Sequence, residues 1–209
     1  MRTERLDYRL PPELIAQRPL ADRSASRLMV VDCESKTVEH RRFLDLPGYL
    51  REGDCLVFNS SRVRHARLCG RKAEGGGAVE MLLLRDLGAG GWEALARPAR
   101  RLRPGSRVVF ADGAMEAAVL EKGERGLVRV RLHPGGAREV EEFLERHGQV
   151  PLPPYIKEEL EDPERYQTVF ADVTGSVAAP TAGLHFDAPL LRRLEGAGAM
   201  TVFIRLEVG

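Results

Sequence analysis

ARLCGRKAEGGGAVEMLLLRDLGAGGWEALARPARRLRPGSRVVFADGAMEAAVLEKGERGLVRVRL, residues 66–132, decides the architecture, because it breaks into short alternating apolar and polar runs punctuated by turn residues. Ala66 to Gly70, Val79 to Arg85, Trp92 to Arg97, Arg107 to Phe110, Met115 to Leu120 and Leu127 to Leu132 read as strands. Gly75-Gly76-Gly77, Gly88 to Gly91, Pro104-Gly105, Asp112-Gly113 and Lys122-Gly123 separate them. Strands at such regular spacing predict a small antiparallel β-barrel or β-sandwich. The glycine triplet has no following lysine and helix, so it reads as a hairpin tip and not as a phosphate-binding loop.

Outward from this block the texture changes. On its C-terminal side Glu139 to His147 carries Val140, Phe143 and Leu144 at helical spacing among acids, an amphipathic helix that Gly148 stops. On its N-terminal side Cys55 to Phe58 reads as a buried strand followed by a loop, Asn59 to Val63. Further out, Leu28 to Val31 and Thr37 to Phe43 form an antiparallel pair, and Pro11 to Gln17 a proline-started short helix. Asp187 to Gly196 is a second amphipathic helix, and Met200 to Leu206 a buried strand. The expected fold is an α/β main domain with an inserted small β domain: residues 1–63, then the insert 64–148, then the return 149–209.

Composition narrows the function classes. Hydrophobic residues make up 43% of 209, enough for a packed core. No run approaches a membrane span, and the N-terminus lacks the apolar core of a signal peptide, so a cytoplasmic protein without a membrane partner is expected. Cys33, Cys55 and Cys69 are odd in number and too far apart for a metal or redox motif; they read as small core residues, and no metal site is expected. Net charge is only +1, yet Ser60 to Phe110 carries +7 and Glu139 to Glu164 carries −7, so one face can meet phosphates while another repels them. The densest basic run, Arg97, Arg100, Arg101, Arg103 and Arg107 on a proline-braced loop, suits RNA phosphates without reading bases; a solvated loop explains the same residues.

Reactive side chains concentrate between Pro151 and Asp187. Pro151-Leu-Pro-Pro-Tyr-Ile156 is stiff and extended, and Asp162 N-caps a helix running to Phe170. Pro180 and Gly183 then turn the chain so that Thr181 and His185 stand beside a new helix start, where free N–H groups suit a carboxylate or phosphate. By itself His185, between Leu184 and Phe186, reads either as a hydrogen-bonded core residue or as an acid/base group.

Three blocks in this order, Pro151 to Ile156, Glu164 to Val169 (E-R-Y-Q-T-V) and Ala178 to Phe186 (A-A-P-T-A-G-L-H-F), resemble the S-adenosylmethionine:tRNA ribosyltransferase-isomerases of queuosine biosynthesis. The opening Asp7-Tyr8 to Pro19 and the Arg23-x-x-Ser26-Arg27-Leu28 block extend that resemblance to the N-terminus. Asn59, Arg62 and Val63 match a family N-D-T-R-V block, while Ser60, Ser61 and His65 depart from the family pattern. Glu207 stands where the family has histidine, and the family's further C-terminal segment is missing, so the main domain is expected to be incomplete.

The resemblance implies transfer and isomerisation of the ribosyl group of S-adenosylmethionine onto 7-aminomethyl-7-deazaguanine at the tRNA wobble position, giving epoxyqueuosine with release of adenine and methionine. A truncated, inactive tRNA-binding fragment is the alternative. No cofactor is implied beyond S-adenosylmethionine as substrate, and a monomer is expected. His185 is the candidate acid/base; Asn59, Arg62, Lys157, Arg165, Tyr166, Gln167, Thr181 and Gly183 are the candidate substrate contacts. Arg62 reads equally well as a structural ion pair.

Overall fold

A computed structural model describes residues 2–206. Glu207, at which the sequence departs from the family pattern, lies outside them. The chain opens with isolated 3-10 turns at Thr3–Leu6, Pro12–Leu14 and Arg23–Ala25. The proline-started segment therefore makes one turn where a helix to Gln17 is predicted. Strands β1 (Arg27–Asp32) and β2 (Thr37–Arg42) form a hairpin. Its tip is held by Asp32, whose carboxylate accepts from the amides of Glu34 (2.8 Å) and Ser35 (3.1 Å).

Next come β3 (Cys55–Asn59) and β4 (Ser61–Val63). The barrel follows: β5 (Arg67–Lys72), β6 (Ala78–Gly88), β7 (Gly91–Arg97), β8 (Arg107–Phe110), β9 (Met115–Lys122) and β10 (Leu127–His133). Helix α1 (Ala137–His147), β11 (Val173–Ser176), α2 (Ala188–Gly196) and β12 (Met200–Ile204) complete the chain. Among the described residues no helix is long and apolar enough to cross a membrane.

The six predicted strands close in the order β10-β7-β6-β5-β8-β9, a barrel and not a sandwich. Every second residue points inward: Val79, Met81 and Leu83; Trp92, Ala94 and Ala96; Met115, Ala117 and Val119; Val128, Val130 and Leu132. The alanines leave room for Trp92, Phe110 and the two methionines, and α1 adds Val140, Phe143 and Leu144. Full burial of each large side chain is worth about 1.5–3 kcal/mol. The barrel cluster holds twenty buried residues against four in the second cluster, so the barrel dominates stability. The 73–77 segment is the hairpin tip between β5 and β6, as the glycine triplet predicts.

Where the chain enters and leaves the barrel, Arg67 and Gln149 exchange both backbone hydrogen bonds (3.1 and 2.8 Å). Gly148 ends α1 at a φ of −78°, so its value is space and not backbone freedom. Arg64 pins this junction. Its guanidinium pairs with Glu141 on α1 at 2.8 Å and lies 5.3 Å from the centre of the Trp92 ring.

The second cluster packs Phe58, Phe186, Leu190 and Leu194 beneath α2, with Phe58 and Phe186 edge to face at 4.8 Å. Here two predictions need correction. β3 and β12 are expected to be buried strands, but only Phe58 of β3 and no residue of β12 is buried. They pair in parallel as a two-stranded sheet, and only the side bearing Leu56 and Phe58 faces the cluster. In this register Cys55, Val57, Met200, Val202 and Ile204 share the opposite face, which is exposed.

The same geometry corrects the cysteines, all three exposed where core positions are expected. Cys33 is in the β1–β2 turn, Cys55 on the open face, and Cys69 points out of the barrel beside the buried Leu68. Asn59 to Val63, expected as a loop, contains β4, which pairs in parallel with β11.

Candidate active-site cleft

Four segments distant in sequence meet around a cleft of about 340 Å³: residues 16–26, 152–160, 165–166 and 181–185. Local chemistry explains how each is held. Gln17 donates to the carbonyls of Ile15 (3.2 Å) and Tyr155 (3.0 Å) and accepts from the Lys157 amide (2.8 Å), fastening the proline-rich run to the N-terminal segment. Asp162 caps the 3-10 turn Pro163–Tyr166 by accepting from the Glu164 amide. That turn is shorter than the predicted helix because Gln167, one residue on, turns its amide to another strand. Pro180 opens the 3-10 turn Thr181–His185, and Asp187 caps α2 immediately after it by accepting from the Leu190 amide.

Arg23 ties two of these turns together. Its guanidinium donates to the carbonyls of Leu184 and Glu164, each at 3.1 Å. Burial, and then the neighbouring positive charge of Arg165, lower its proton affinity. Two guanidinium groups facing one cleft repel each other, and an anionic group between them relieves that repulsion. Arg165 in turn donates to the carbonyl of Leu20, and Arg18 pairs with Glu158 at the rim.

His185 is half-buried, its ring 5.1 Å from that of Phe43, and its Nδ1 lies 3.0 Å from the Ser26 hydroxyl. Ser26 uses its one proton on the Arg23 carbonyl at 3.1 Å. In that arrangement the hydroxyl oxygen accepts from His185 Nδ1–H, and the lone pair of the neutral ring is on Nε2. Burial holds the imidazole below its usual pKa of 6.5, which favours this neutral form. A neutral imidazole in a cleft bordered by Leu152, Ile156 and Leu184 is equipped to accept a proton. Tyr166, also on the cleft, is held above its usual pKa chiefly by burial, so its hydroxyl stays protonated and can donate.

Of the residues singled out from sequence, His185, Arg165, Tyr166 and Thr181 border the cleft. The others do not. Gln167 is buried and spent on Val63, accepting from its amide and donating to its carbonyl at 2.9 Å each, a side-chain copy of a strand pairing. Asn59 is spent on Leu206 and Ser61. Arg62 forms an ion pair with Glu164, the structural alternative. The Gly183 amide donates to the Pro180 carbonyl at 2.8 Å and so is not free for a substrate. Lys157 borders a neighbouring hollow. Arg97, Arg100, Arg101, Arg103 and Arg107 are all exposed on the barrel, where Arg107 lies 3.6 Å from Glu116.

Sequence reasoning missed Arg23, Ser26 and Gln17 as parts of the cleft. Their signal was present in the opening blocks, which match the family as well as the later ones do.

A family model described as "Queuosine biosynthesis protein" matches residues 3–209. A protein of Symbiobacterium thermophilum named S-adenosylmethionine:tRNA ribosyltransferase-isomerase is 53% identical over 209 residues, covering 100% of this chain and 61% of its own length. One of the same name from Natranaerobius thermophilus is 49% identical over 210 residues, with the same coverage. A crystal structure of an S-adenosylmethionine tRNA ribosyltransferase from Thermotoga maritima is 33% identical, covers 97% of this chain and 58% of that one, and superposes with a TM-score of 0.39. The chain thus spans about three fifths of the length of the curated relatives it matches.

Proposed function

The chain belongs to the queuosine biosynthesis protein family, and we propose that its cleft takes part in moving the ribosyl group of S-adenosylmethionine onto 7-aminomethyl-7-deazaguanine at the wobble position of a tRNA. The relatives' names support the two substrates. The observation that carries the reading is the His185–Ser26–Arg23 chain of hydrogen bonds, which leaves Nε2 of a neutral imidazole as a proton acceptor in a cleft with two guanidinium groups.

In this reading His185 removes a proton from the ribose methylene that the sulfonium acidifies, and adenine departs with the electron pair of its bond to the ribose. The C–H electron pair ends as a carbon–carbon double bond beside sulfur, while the opened ring oxygen becomes an aldehyde. The aminomethyl nitrogen adds to the far alkene carbon, and the carbanion this leaves beside sulfur closes on the aldehyde carbon. The resulting alkoxide displaces methionine, giving the epoxide of epoxyqueuosine. Arg23 and Arg165 receive an anionic end of a substrate, Tyr166 donates a hydrogen bond, and Thr181 borders the entrance. Lys157 acts from the neighbouring hollow. Residues 1–63 and 149–209 build the cleft, and the insert 64–148 serves to hold RNA. The protein works in the cytoplasm as a monomer.

Adenine release from S-adenosylmethionine in the presence of precursor tRNA tests the reading. We expect His185→Ala to lower it about 10²–10⁴-fold with folding unchanged, and undiminished release would remove His185 from the chemistry. The open apolar face of β3 and β12 favours a second reading in which this chain binds tRNA but completes no turnover. Retained tRNA binding without adenine release would select it.

A further inference from the structure

A second concavity, about 760 Å³ and sharing no residue with the cleft, lies between the β5–β6 hairpin tip and the loop that leads into β8. Lys72, Arg100, Arg101 and Arg103 line it, with Glu74 as the one carboxylate. Among the described residues none of these four cations has an ion-pair partner, whereas elsewhere on the barrel Arg85 pairs with Glu93 at 2.9 Å and Arg129 with Glu121 at 3.0 Å.

The loop is built to present these charges. Leu102, fully buried, anchors it in the barrel core, so Arg101 and Arg103 on either side point outward. The Ser106 hydroxyl accepts from the Arg103 amide at 3.0 Å and holds the turn. Opposite, the hairpin tip carries glycines. A Cβ on Gly77 would stand 3.8 Å from Nη1 of Arg101, so this guanidinium reaches across to the tip. No aromatic side chain lines the groove, which disfavours base stacking, and Pro104 is its one apolar side chain, which leaves little for a peptide to pack against.

We propose that this groove binds the sugar-phosphate backbone of RNA, with Lys72, Arg100, Arg101 and Arg103 as the phosphate contacts. The inference rests on the reading that the chain acts on tRNA, and it changes the contact set expected from sequence. Lys72 joins it. Arg97, on β7 and not lining the groove, and Arg107, beside Glu116, leave it. Backbone recognition carries no base information, so the groove holds tRNA whether or not the reactive base is present.

Fluorescence anisotropy of labelled tRNA, titrated with the chain at several salt concentrations, tests the proposal. Two variants are compared, Lys72→Ala/Arg101→Ala/Arg103→Ala and Arg97→Ala/Arg107→Ala, with Trp92 emission reporting that each is folded. We expect the triple variant to bind ~10–100-fold more weakly and its log-log salt slope to shrink by about 2–3, equally for tRNA with and without the deazaguanine precursor. The double variant should stay within ~3-fold of the parent. A triple variant that binds like the parent overturns the groove and leaves the tRNA reading standing. A parent chain with no affinity for either tRNA overturns both.

Discussion

Gly148→Ala places the junction between barrel and cleft under direct test. A Cβ built on Gly148 would lie 2.0 Å from the carbonyl oxygen of His65 and 2.5 Å from that of Leu144. Both neighbours are backbone, so neither can swing aside as a side-chain end would. Relief requires the segment around His65, between β4 and β5, to retreat by about 1 Å or more, which strains the adjoining pair of hydrogen bonds between Arg67 and Gln149 and the hydrogen bond from the Gly148 amide to the Leu144 carbonyl at 2.8 Å. Overpacking of this kind costs about 1–3 kcal/mol, and each weakened hydrogen bond adds about 0.5–1.5 kcal/mol. With three such bonds the sum is about 2.5–7.5 kcal/mol, a fall in Tm of roughly 5–30 °C for a chain of this size.

Urea unfolding followed by tryptophan emission is the assay, because the single tryptophan, Trp92, is buried in the barrel wall beside this junction. The matched control is Gly196→Ala at the end of α2, where nothing lies within 4 Å; it should stabilise by up to about 1 kcal/mol through helix propensity. A Gly148→Ala protein within about 1 kcal/mol of the parent would refute the close crossing, and with it the account of how the return segment is aimed at the cleft.

Three further outcomes are expected. His185 should titrate below 6.5 by NMR, since burial disfavours its charged form. Because the unfolded chain then binds that proton more readily, the stability tied to this ring is complete above about pH 6.5 and is lost as pH falls toward the folded value, and a titration above 6.5 would contradict the buried neutral ring. Gln167→Ala should lower stability by about 2–4 kcal/mol, because it strands the amide and carbonyl of Val63. Unchanged stability with lost substrate affinity would instead return Gln167 to the binding site. Val202→Lys, on the open sheet face at 45% exposure, should change folding stability by less than about 0.5 kcal/mol. It should also reduce any concentration-dependent association seen in sedimentation, and a large loss of stability would mean that this face is covered.

What the sequence determined by itself is whatever depends on a few adjacent residues. The alternation around Met81, Ala94, Ala117 and Val130 sets which side of each strand is wet, and glycines set the hairpin tips, so six strands were legible before any contact was known. Asp187 announced α2, and Val140, Phe143 and Leu144 announced α1, for the same local reason. His185 was legible as a chemical group but not as a tautomer, because the partner that orients it is Ser26, 159 positions away.

Everything that turned on a distant partner was decided by the tertiary structure alone. Gln167, Arg62 and Gly183 looked available for a ligand; Val63, Glu164 and Pro180 already occupy them. Strand periodicity says which residues share a face but not whether another layer covers it, so β3 and β12 read as buried although one face of their sheet is open. Closure of a barrel, pairing of an ion and covering of a sheet are all long-range events, and local sequence fixes neither their partners nor their outcome.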